Sequence, residues 1–233
     1  MSQHDEHGPR VLKHPLISRL FHWGLIFGFL PAAVTGFFIW LKPFNDDIQN
    51  LLMQIHIVGA VILSVSVILF SLFALDRIVA FTRRIFTWDE RDKGWMMVQG
   101  GYPQKMLLGK IIPVPPMGKI NSGQKIFGIC LLFGGAILIV TGWVLYAFLP
   151  VAPKLVMYWF DQAHLVLGIF LGLFMIVHIF LGIYNWGEFL AMFGDGTQPL
   201  HEAEHHNPVW VENEIEPVNK GGIVSTPGHH HAG

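Results

Sequence analysis

The sequence predicts an all-α membrane protein whose core is a bundle of four transmembrane helices. Of its 233 residues, 52% are hydrophobic and only 13% are charged, whereas about a quarter of an ordinary soluble domain is charged. The mean hydropathy is +0.49. A helix needs about 20 apolar residues to cross a bilayer. Stretches of at least that length without Asp, Glu, Lys or Arg occur at 20–41, 48–75, 126–153 and 162–187.

Composition and charge exclude several other classes. The formal net charge of -1 excludes a protein that binds nucleic acid through a basic surface, and the apolar content excludes a disordered chain. A single cysteine, Cys130, excludes an internal disulfide, a thiolate metal cluster and haem attachment through two thiols. A soluble all-α protein is the alternative fold, but it requires polar helix faces, which the four stretches lack.

The spans follow one another with one long interruption. No apolar segment with a small-residue cleavage site precedes the first span, so we expect no cleaved signal peptide. Glycines and prolines, such as Gly100 and Pro113, interrupt any continuous helix between the second and third spans. The spans are expected at 21–41, 50–75, 124–149 and 160–187, with a polar N-terminal segment at 1–20, a connector at 76–123 and a polar tail at 188–233.

The distribution of Lys and Arg predicts the orientation. If the N-terminus is cytoplasmic, 13 of the 15 Lys and Arg residues lie inside, nine of them from Arg77 to Lys125. Only Lys42 and Lys154 lie outside. Because positive residues favour the cytoplasmic side, we expect both the N-terminus and the C-terminus in the cytoplasm. A connector of this length is typical of a functional or docking surface.

Four of the 13 histidines lie within or at the edge of the predicted spans. An ionisable side chain at membrane depth is costly unless it faces the bundle interior and finds a partner. For one such histidine, an interhelical hydrogen bond is an equally good explanation. Four such histidines in one bundle, however, indicate a shared function. The four are His22, His56, His164 and His178.

Their positions along the helices sort these histidines into two pairs. His164 and His178 share a helix face and lie about 21 Å apart along the axis. In the predicted orientation, His22 and His178 lie toward the cytoplasm, and His56 and His164 lie toward the outside. Neutral imidazole is a common axial ligand of haem iron, and bundle cores accommodate such cofactors. The sequence therefore predicts that the bundle encloses two stacked haems b, each with its iron held by one pair.

Small and basic residues near the histidines extend these predicted sites. Gly168 and Gly182 each follow a fourth-span histidine by four residues and so share its face, where a missing side chain would admit a porphyrin. Ordinary helix packing is the alternative for both glycines. Arg19 precedes His22 by three residues and could reach haem propionates, with a snorkelling arginine as the alternative.

Segments from all four spans and the tail resemble one known family. They are Phe21-His22-Trp23, Gln54-Ile55-His56, Lys119-Ile120-Asn121-Ser122-Gly123-Gln124-Lys125, Thr141-Gly142-Trp143, His164, His178, Asn185-Trp186-Gly187 and His205-His206. The family is the cytochrome b subunit, often called the gamma subunit, of respiratory membrane-bound formate dehydrogenase. The resemblance covers roughly residues 15 to 212, and the Asn-x-Gly-Gln-Lys segment is its most diagnostic part.

The resemblance implies an electron-transfer subunit rather than the formate-oxidising subunit. It implies that His56 and His164 ligate an outer haem, which receives electrons from an iron-sulfur subunit fed by a molybdenum or tungsten formate dehydrogenase subunit. It further implies that His22 and His178 ligate an inner haem, which reduces menaquinone or ubiquinone near the cytoplasmic face. The chain would then be a multi-pass protein of a bacterial or archaeal cytoplasmic (inner) membrane.

The resemblance also assigns Asn121, Gly123 and Gln124, next to His178, to the quinone pocket. An amide can donate a hydrogen bond to a quinone carbonyl without bringing a charge into the membrane, and glycine lets the ring approach. The alternative is that Asn121 and Ser122 cap the third span, with the glycine and glutamine in its first turn. The two roles are compatible.

Several other functions stay open at this point. Within the same class, the chain could be the cytochrome b of a hydrogenase or of another molybdoenzyme, or a free-standing diheme enzyme. From a different class, a transporter could use the histidines for protons or metal ions, although the four stretches without charged residues leave no acidic partner beside them. The zinc-protease pattern His201-Glu202-Ala203-Glu204-His205 lies in the polar tail, where we expect too little room for a supporting helix.

Overall fold

The computed structural model describes residues 8–215 and 223–224, so the end of the predicted tail lies outside the described residues. Ten helices are described, together with three short strands and a 3-10 turn at Gln99–Gly101. In chain order, the elements are β1 (Arg10–Leu12), α1 (Leu16–Leu41), α2 (Asp46–Phe73), α3 (Leu75–Phe86), α4 (Glu90–Val98), α5 (Tyr102–Leu108), α6 (Ser122–Phe148), α7 (Lys154–Tyr184), α8 (Trp186–Phe193), β2 (Thr197–Pro199), α9 (Leu200–His206), α10 (Pro208–Glu214) and β3 (Ile223–Val224).

Four helices, α1, α2, α6 and α7, are long and apolar enough to cross a membrane. The prediction of a helical protein with four membrane spans is confirmed. The sequence did not predict the small sheet, in which β1 pairs antiparallel with β2 and parallel with β3. Strands of two or three residues are too short to carry an alternating apolar pattern, so periodicity could not reveal them.

Helix ends follow local capping rules. The Asn45 side chain accepts a hydrogen bond from the Ile48 N–H at 3.0 Å and so caps α2, whose first turn contains Asp46 and Asp47. These carboxylates lie at the positive end of the helix dipole. At α4, Asp89 and Asp92 form a capping box, in which each side chain accepts a hydrogen bond from the backbone of the other.

The chain divides into two compact units. We call the first the membrane unit; it comprises Leu20–Val79 and Gly128–Leu181. Within it, α1 and α2 approach closely at two glycines, because a Cβ on Gly59 would lie 2.7 Å from the Gly28 carbonyl oxygen. Small residues let membrane helices pack backbone to backbone. The Trp143 indole N–H donates to the Ser64 hydroxyl at 2.9 Å and so joins α6 to α2.

We call the second the polar unit; its described residues fall within Met1–Arg19, Ala80–Phe127 and Gly182–Gly233. Its apolar core contains Val11, Ala203 and Trp210, which are fully buried. The predicted connector is not one continuous helix: α3, α4 and α5 are followed by a segment without helix or strand that leads to α6. The Arg84 guanidinium pairs with both carboxylate oxygens of Glu214, so α3 is tied to α10.

Candidate cofactor site: two histidine pairs

The membrane unit brings its four histidines together in two pairs. His56 on α2 and His164 on α7 have ring centroids 6.1 Å apart, with the ring planes at 72°. His22 on α1 and His178 on α7 have centroids 6.4 Å apart, with the planes at 59°. These are the pairs that helix positions predicted from the sequence. Each pair faces across a helix interface, as ligands of one shared group must.

The spacing of each pair fits two imidazoles that bind opposite sides of one metal ion. A metal-to-imidazole nitrogen bond is about 2.0–2.1 Å long, and the ring centre lies about 1.2 Å beyond the nitrogen, so two opposed ligands have centres about 6.4 Å apart. The observed centroid distances are 6.1 and 6.4 Å. The donor set, two neutral nitrogens on opposite sides, suits haem iron.

Hydrogen bonds determine which nitrogen of His56 carries the proton. Its Nδ1 lies 2.8 Å from the carbonyl oxygen of Ala32 on α1. A carbonyl can only accept a hydrogen bond, so Nδ1 must be the protonated nitrogen, and Nε2 keeps its lone pair. The Thr35 hydroxyl oxygen lies 3.4 Å from the same Nδ1. His56 is therefore held in the tautomer that can bind a metal through Nε2.

His164 is held in the same way by α6. Its Nδ1 lies 2.9 Å from the Thr141 hydroxyl oxygen, and that hydroxyl is 2.7 Å from the Ile137 carbonyl oxygen. Because a hydroxyl has one hydrogen and donates it to the carbonyl, its oxygen accepts the Nδ1 hydrogen. The Nε2 lone pair of His164 is again available. Among the hydrogen bonds shown for the described residues, none involves Nε2 of His56 or His164.

The sequence analysis did not identify the residues that hold these two rings, although a repeated tripeptide marks them. The tripeptide Val-Thr-Gly occurs at 34–36 in the first span and again at 140–142 in the third. Each threonine precedes the histidine that it contacts, by 21 residues in one case and 23 in the other. Each glycine also faces that ring, since a Cβ on Gly36 or Gly142 would lie 3.1 Å from the Cε1 atom.

The structure also shows the surroundings of Gly168, Gly182 and Arg19, which the sequence placed near the histidines. Among the described residues, nothing lies within 4 Å of a Cβ built on Gly168 or Gly182, so each leaves space beside α7. Arg19, in the polar unit, donates to the Gly194 carbonyl oxygen. Its buried Nε has no hydrogen-bond partner among the described residues.

Asn121 and Gln124 form a capping box at the start of α6. The Asn121 Oδ1 accepts from the Gln124 N–H at 2.9 Å, and the Gln124 Oε1 accepts from the Asn121 N–H at 2.8 Å. The capping alternative is therefore correct for Asn121, whereas Ser122 donates to Asp92 at 2.8 Å. A Cβ on Gly123 would lie 2.8 Å from the Trp95 ring, so glycine here makes room for that indole.

The tail histidines occupy a short helix. His201 and His205 lie on α9, which has seven residues. Within the part of the chain that the structure describes, no three His, Cys, Asp or Glu side chains form a group that could hold a metal ion. The four membrane histidines lie in two pairs and remain candidates for binding a metal ion.

Comparison with known families agrees with this arrangement. The sequence model for prokaryotic cytochrome b561 matches residues 13–195, which cover all four spans. The chain belongs to the prokaryotic cytochrome b561 family. No curated protein matches the chain at a significant level.

Membership of the cytochrome b561 family defines the general function. The chain is a membrane cytochrome b that takes part in electron transfer, and the family implies that it binds haem b. With its four apolar helices, it is a multi-pass membrane protein of a prokaryote. A family of haem proteins also accounts for histidines at a depth where lipid-exposed imidazoles would be costly.

Proposed function

We propose that the chain is the diheme cytochrome b subunit that anchors a formate dehydrogenase complex and delivers its electrons to quinone. In this proposal, His56 and His164 bind one haem b, and His22 and His178 bind the other. The observation that carries the proposal is the spacing of the two imidazole pairs, 6.1 and 6.4 Å, in a chain of a haem b family. Haem b, when bound, supplies reversible one-electron chemistry.

The chain's own residues prepare these sites for electron transfer. The hydrogen bonds at Nδ1 hold His56 and His164 as neutral donors before any cofactor arrives, so little reorganisation accompanies binding. Helices α1, α2, α6 and α7 are apolar along their length, so a group bound between them would lie in largely apolar surroundings. Each histidine pair would supply both protein ligands of a haem there, and the haem would supply electron transfer.

We further propose that both termini face the cytoplasm, so that the pair of His56 and His164 lies toward the outer side. The excess of Lys and Arg in the N-terminal segment and the connector supports this orientation. Arg19 would then lie at the cytoplasmic end of the first span, where it remains a candidate partner for haem propionates. Inward movement of one electron across the full bilayer corresponds to about 2.3 kcal/mol per 100 mV of membrane potential.

The quinone site is proposed at Asn121, Gly123 and Gln124. Capping uses the side-chain oxygens of Asn121 and Gln124, and both amide NH2 groups retain their donors. Such a group can donate to a quinone carbonyl without a charged side chain. Gly123 contributes by letting the Trp95 ring lie against the backbone beside the two amides. The start of α6 therefore combines fixed backbone geometry with neutral donors.

The partner subunits are proposed from the resemblance to formate dehydrogenase. They are an iron-sulfur subunit and a molybdenum or tungsten subunit that oxidises formate; the chain itself would not touch formate. A second candidate is the cytochrome b of a hydrogenase, because the family model that matches is named for the cytochrome b of nickel hydrogenases. The Asn121 to Lys125 segment favours the formate dehydrogenase assignment.

Purification from native membranes tests the proposal. We expect two haems b per chain by pyridine haemochrome assay, low-spin spectra, and co-purification of iron-sulfur and molybdenum or tungsten subunits. Formate should reduce both haems and, through them, a soluble quinone analogue. Reduction by hydrogen but not by formate would favour the second candidate. A folded protein without haem would overturn the cytochrome assignment and make a histidine-lined transporter the hypothesis to test.

A further inference from the structure

We infer that Thr35 and Thr141 are positioning residues that orient His56 and His164 and help to set the reduction potential of the haem between them. This inference rests on the proposed role of these histidines as axial ligands. Neither the family match nor the resemblance assigns a role to either threonine. The evidence is the contact of each hydroxyl with Nδ1 of the facing ring.

The two threonines occupy equivalent positions on different helices. Thr35 on α1 donates to the carbonyl oxygen four residues earlier, that of Pro31, at 2.6 Å. Thr141 on α6 donates in the same way to Ile137 at 2.7 Å. In both cases the single hydroxyl hydrogen is engaged along the threonine's own helix, so the oxygen presents lone pairs to the ring. The α1–α2 and α6–α7 pairs thus repeat one local arrangement.

An ordinary packing role does not account for this arrangement. Serine and threonine commonly donate to the carbonyl four residues back in membrane helices, and Ser71 on α2 does so at an exposed position. Thr35 and Thr141 differ because both are buried, each at 5% exposure, and both face an imidazole. The glycine after each threonine lets the ring lie against the helix, as a Cβ there would be 3.1 Å from Cε1.

Acceptors at Nδ1 change the chemistry of an imidazole ligand. A hydrogen bond from Nδ1–H to an acceptor fixes the ring orientation and raises the basicity of Nε2. A more basic ligand stabilises the oxidised iron more than the reduced iron, so the acceptor lowers the reduction potential. The Thr141 oxygen lies 2.9 Å from Nδ1 of His164, whereas the Thr35 oxygen lies 3.4 Å from Nδ1 of His56. Thr141 should therefore have the larger effect.

Threonine-to-valine variants of the full chain test the inference, because valine keeps the shape and removes the hydroxyl. In Thr141→Val we expect the equilibrium between oxidised and reduced haem to shift about tenfold toward reduced, which is about 59 mV for one electron. Thr35→Val should shift it less. Potentiometric titration followed at the haem bands, with electron paramagnetic resonance of the oxidised protein, should show the change in one haem only. Thr141→Ser keeps the hydroxyl and should have the wild-type potential. Ser71→Ala removes a hydroxyl that makes the same helix hydrogen bond at an exposed position, and it is the matched control.

The outcomes separate this inference from the proposed function. Two haems with potentials and resonance signals unchanged in both valine variants would overturn the inference and leave the diheme assignment intact. A wild-type chain without two haems would overturn the proposed function instead. If the valine variants do not accumulate, Thr35→Ala and Thr141→Ala replace them, because alanine is too small to overfill the site. Thr35→Ser and Thr141→Ser, which keep the hydroxyl, are then the variants for comparison.

Discussion

Lys13, which follows the first strand, is buried and forms an ion pair with the half-buried Glu188 on α8 in the polar unit. The Lys13 side chain is 4% exposed and that of Glu188 is 22% exposed. The lysine ammonium also donates to Asn207 at 2.7 Å and to Gln198 at 3.1 Å. Burial lowers the pKa of Lys13, and the Glu188 carboxylate opposes that shift. One cation thus joins the segment after β1 to three side chains in residues 188–207.

Replacing Lys13 by methionine should destabilise the polar unit. The change keeps the length of the side chain but leaves Glu188, Gln198 and Asn207 without their shared donor. Loss of one partner of a buried pair typically costs about 3–5 kcal/mol. Urea unfolding in detergent, followed by tryptophan fluorescence, should show it, because Trp210 is fully buried nearby. Lys93→Met, at an exposed ion pair, should leave the midpoint unchanged; an equal loss in both variants would contradict the prediction.

Acid should weaken the contact between α4 and α6 through Asp92. Burial alone would raise the pKa of Asp92, but hydrogen bonds from Lys125, the Asp89 N–H and Ser122 outweigh it and hold the pKa below 3.8. Because the folded pKa is below the unfolded one, this stabilisation is complete above about pH 4 to 5 and disappears as the pH falls through the folded pKa.

Asp92→Asn should therefore cost about 1.5–3 kcal/mol at pH 7 and progressively less below pH 3.8. Unfolding midpoints of the variant and the wild-type protein, measured from pH 7 down to pH 3, would check this. Asp76→Asn, at an exposed carboxylate, is the control. A difference that stays constant as the pH falls would show that the carboxylate charge is not responsible.

Replacing either histidine of a pair should remove the same haem. We expect His56→Ala, His164→Ala and the double variant to lose the same single haem, because one remaining imidazole cannot supply both axial positions. His22→Ala and His178→Ala should lose the other. Haem counts and reduced-minus-oxidised spectra measure this, with His205→Ala on α9 as the control. Retention of two haems in His56→Ala would disprove the proposed pairing.

Gln124→Glu should separate capping from quinone binding. A glutamate can still accept the Asn121 N–H, so the capping box is kept, but the NH2 donor is lost. We expect binding of a hydroxyquinoline N-oxide quinone analogue to weaken about tenfold, as for loss of one hydrogen bond. The haem spectrum and the unfolding midpoint should not change. If only Gln124→Ala weakens binding, the effect comes from the cap and not from the amide donor.

Gly59→Ala should push α1 and α2 apart. The new Cβ would lie 2.7 Å from the Gly28 carbonyl oxygen and 3.1 Å from the Ala32 N atom, and backbone cannot rotate away as a side chain can. Overpacking of this kind costs about 1–3 kcal/mol. Thermal unfolding in detergent measures the loss. Gly135→Ala on α6, whose Cβ would have its nearest contact at 4.0 Å, should unfold at the wild-type temperature.

Local and periodic features of this protein were predictable from the sequence. The four spans follow from apolar stretches long enough to cross a bilayer, which is a property of composition alone. The grouping of His22 with His178 and of His56 with His164 follows from helix rise and from alternating direction of successive spans. The cap at Asn121 involves residues three apart, so its signal is also local.

The tertiary structure alone decided which distant side chains meet. Lys13 and Glu188 are 175 residues apart, and β1 and β2 pair across a similar distance, so no local pattern predicts either contact. Thr35 and Thr141 look like ordinary helix residues until the facing helix brings an imidazole to each hydroxyl. Hydropathy determines that a helix lies in the membrane, whereas its rotation and its neighbours depend on packing between helices. The sequence thus determined the spans and the positions of the histidines along them, and packing determined the tautomers of His56 and His164.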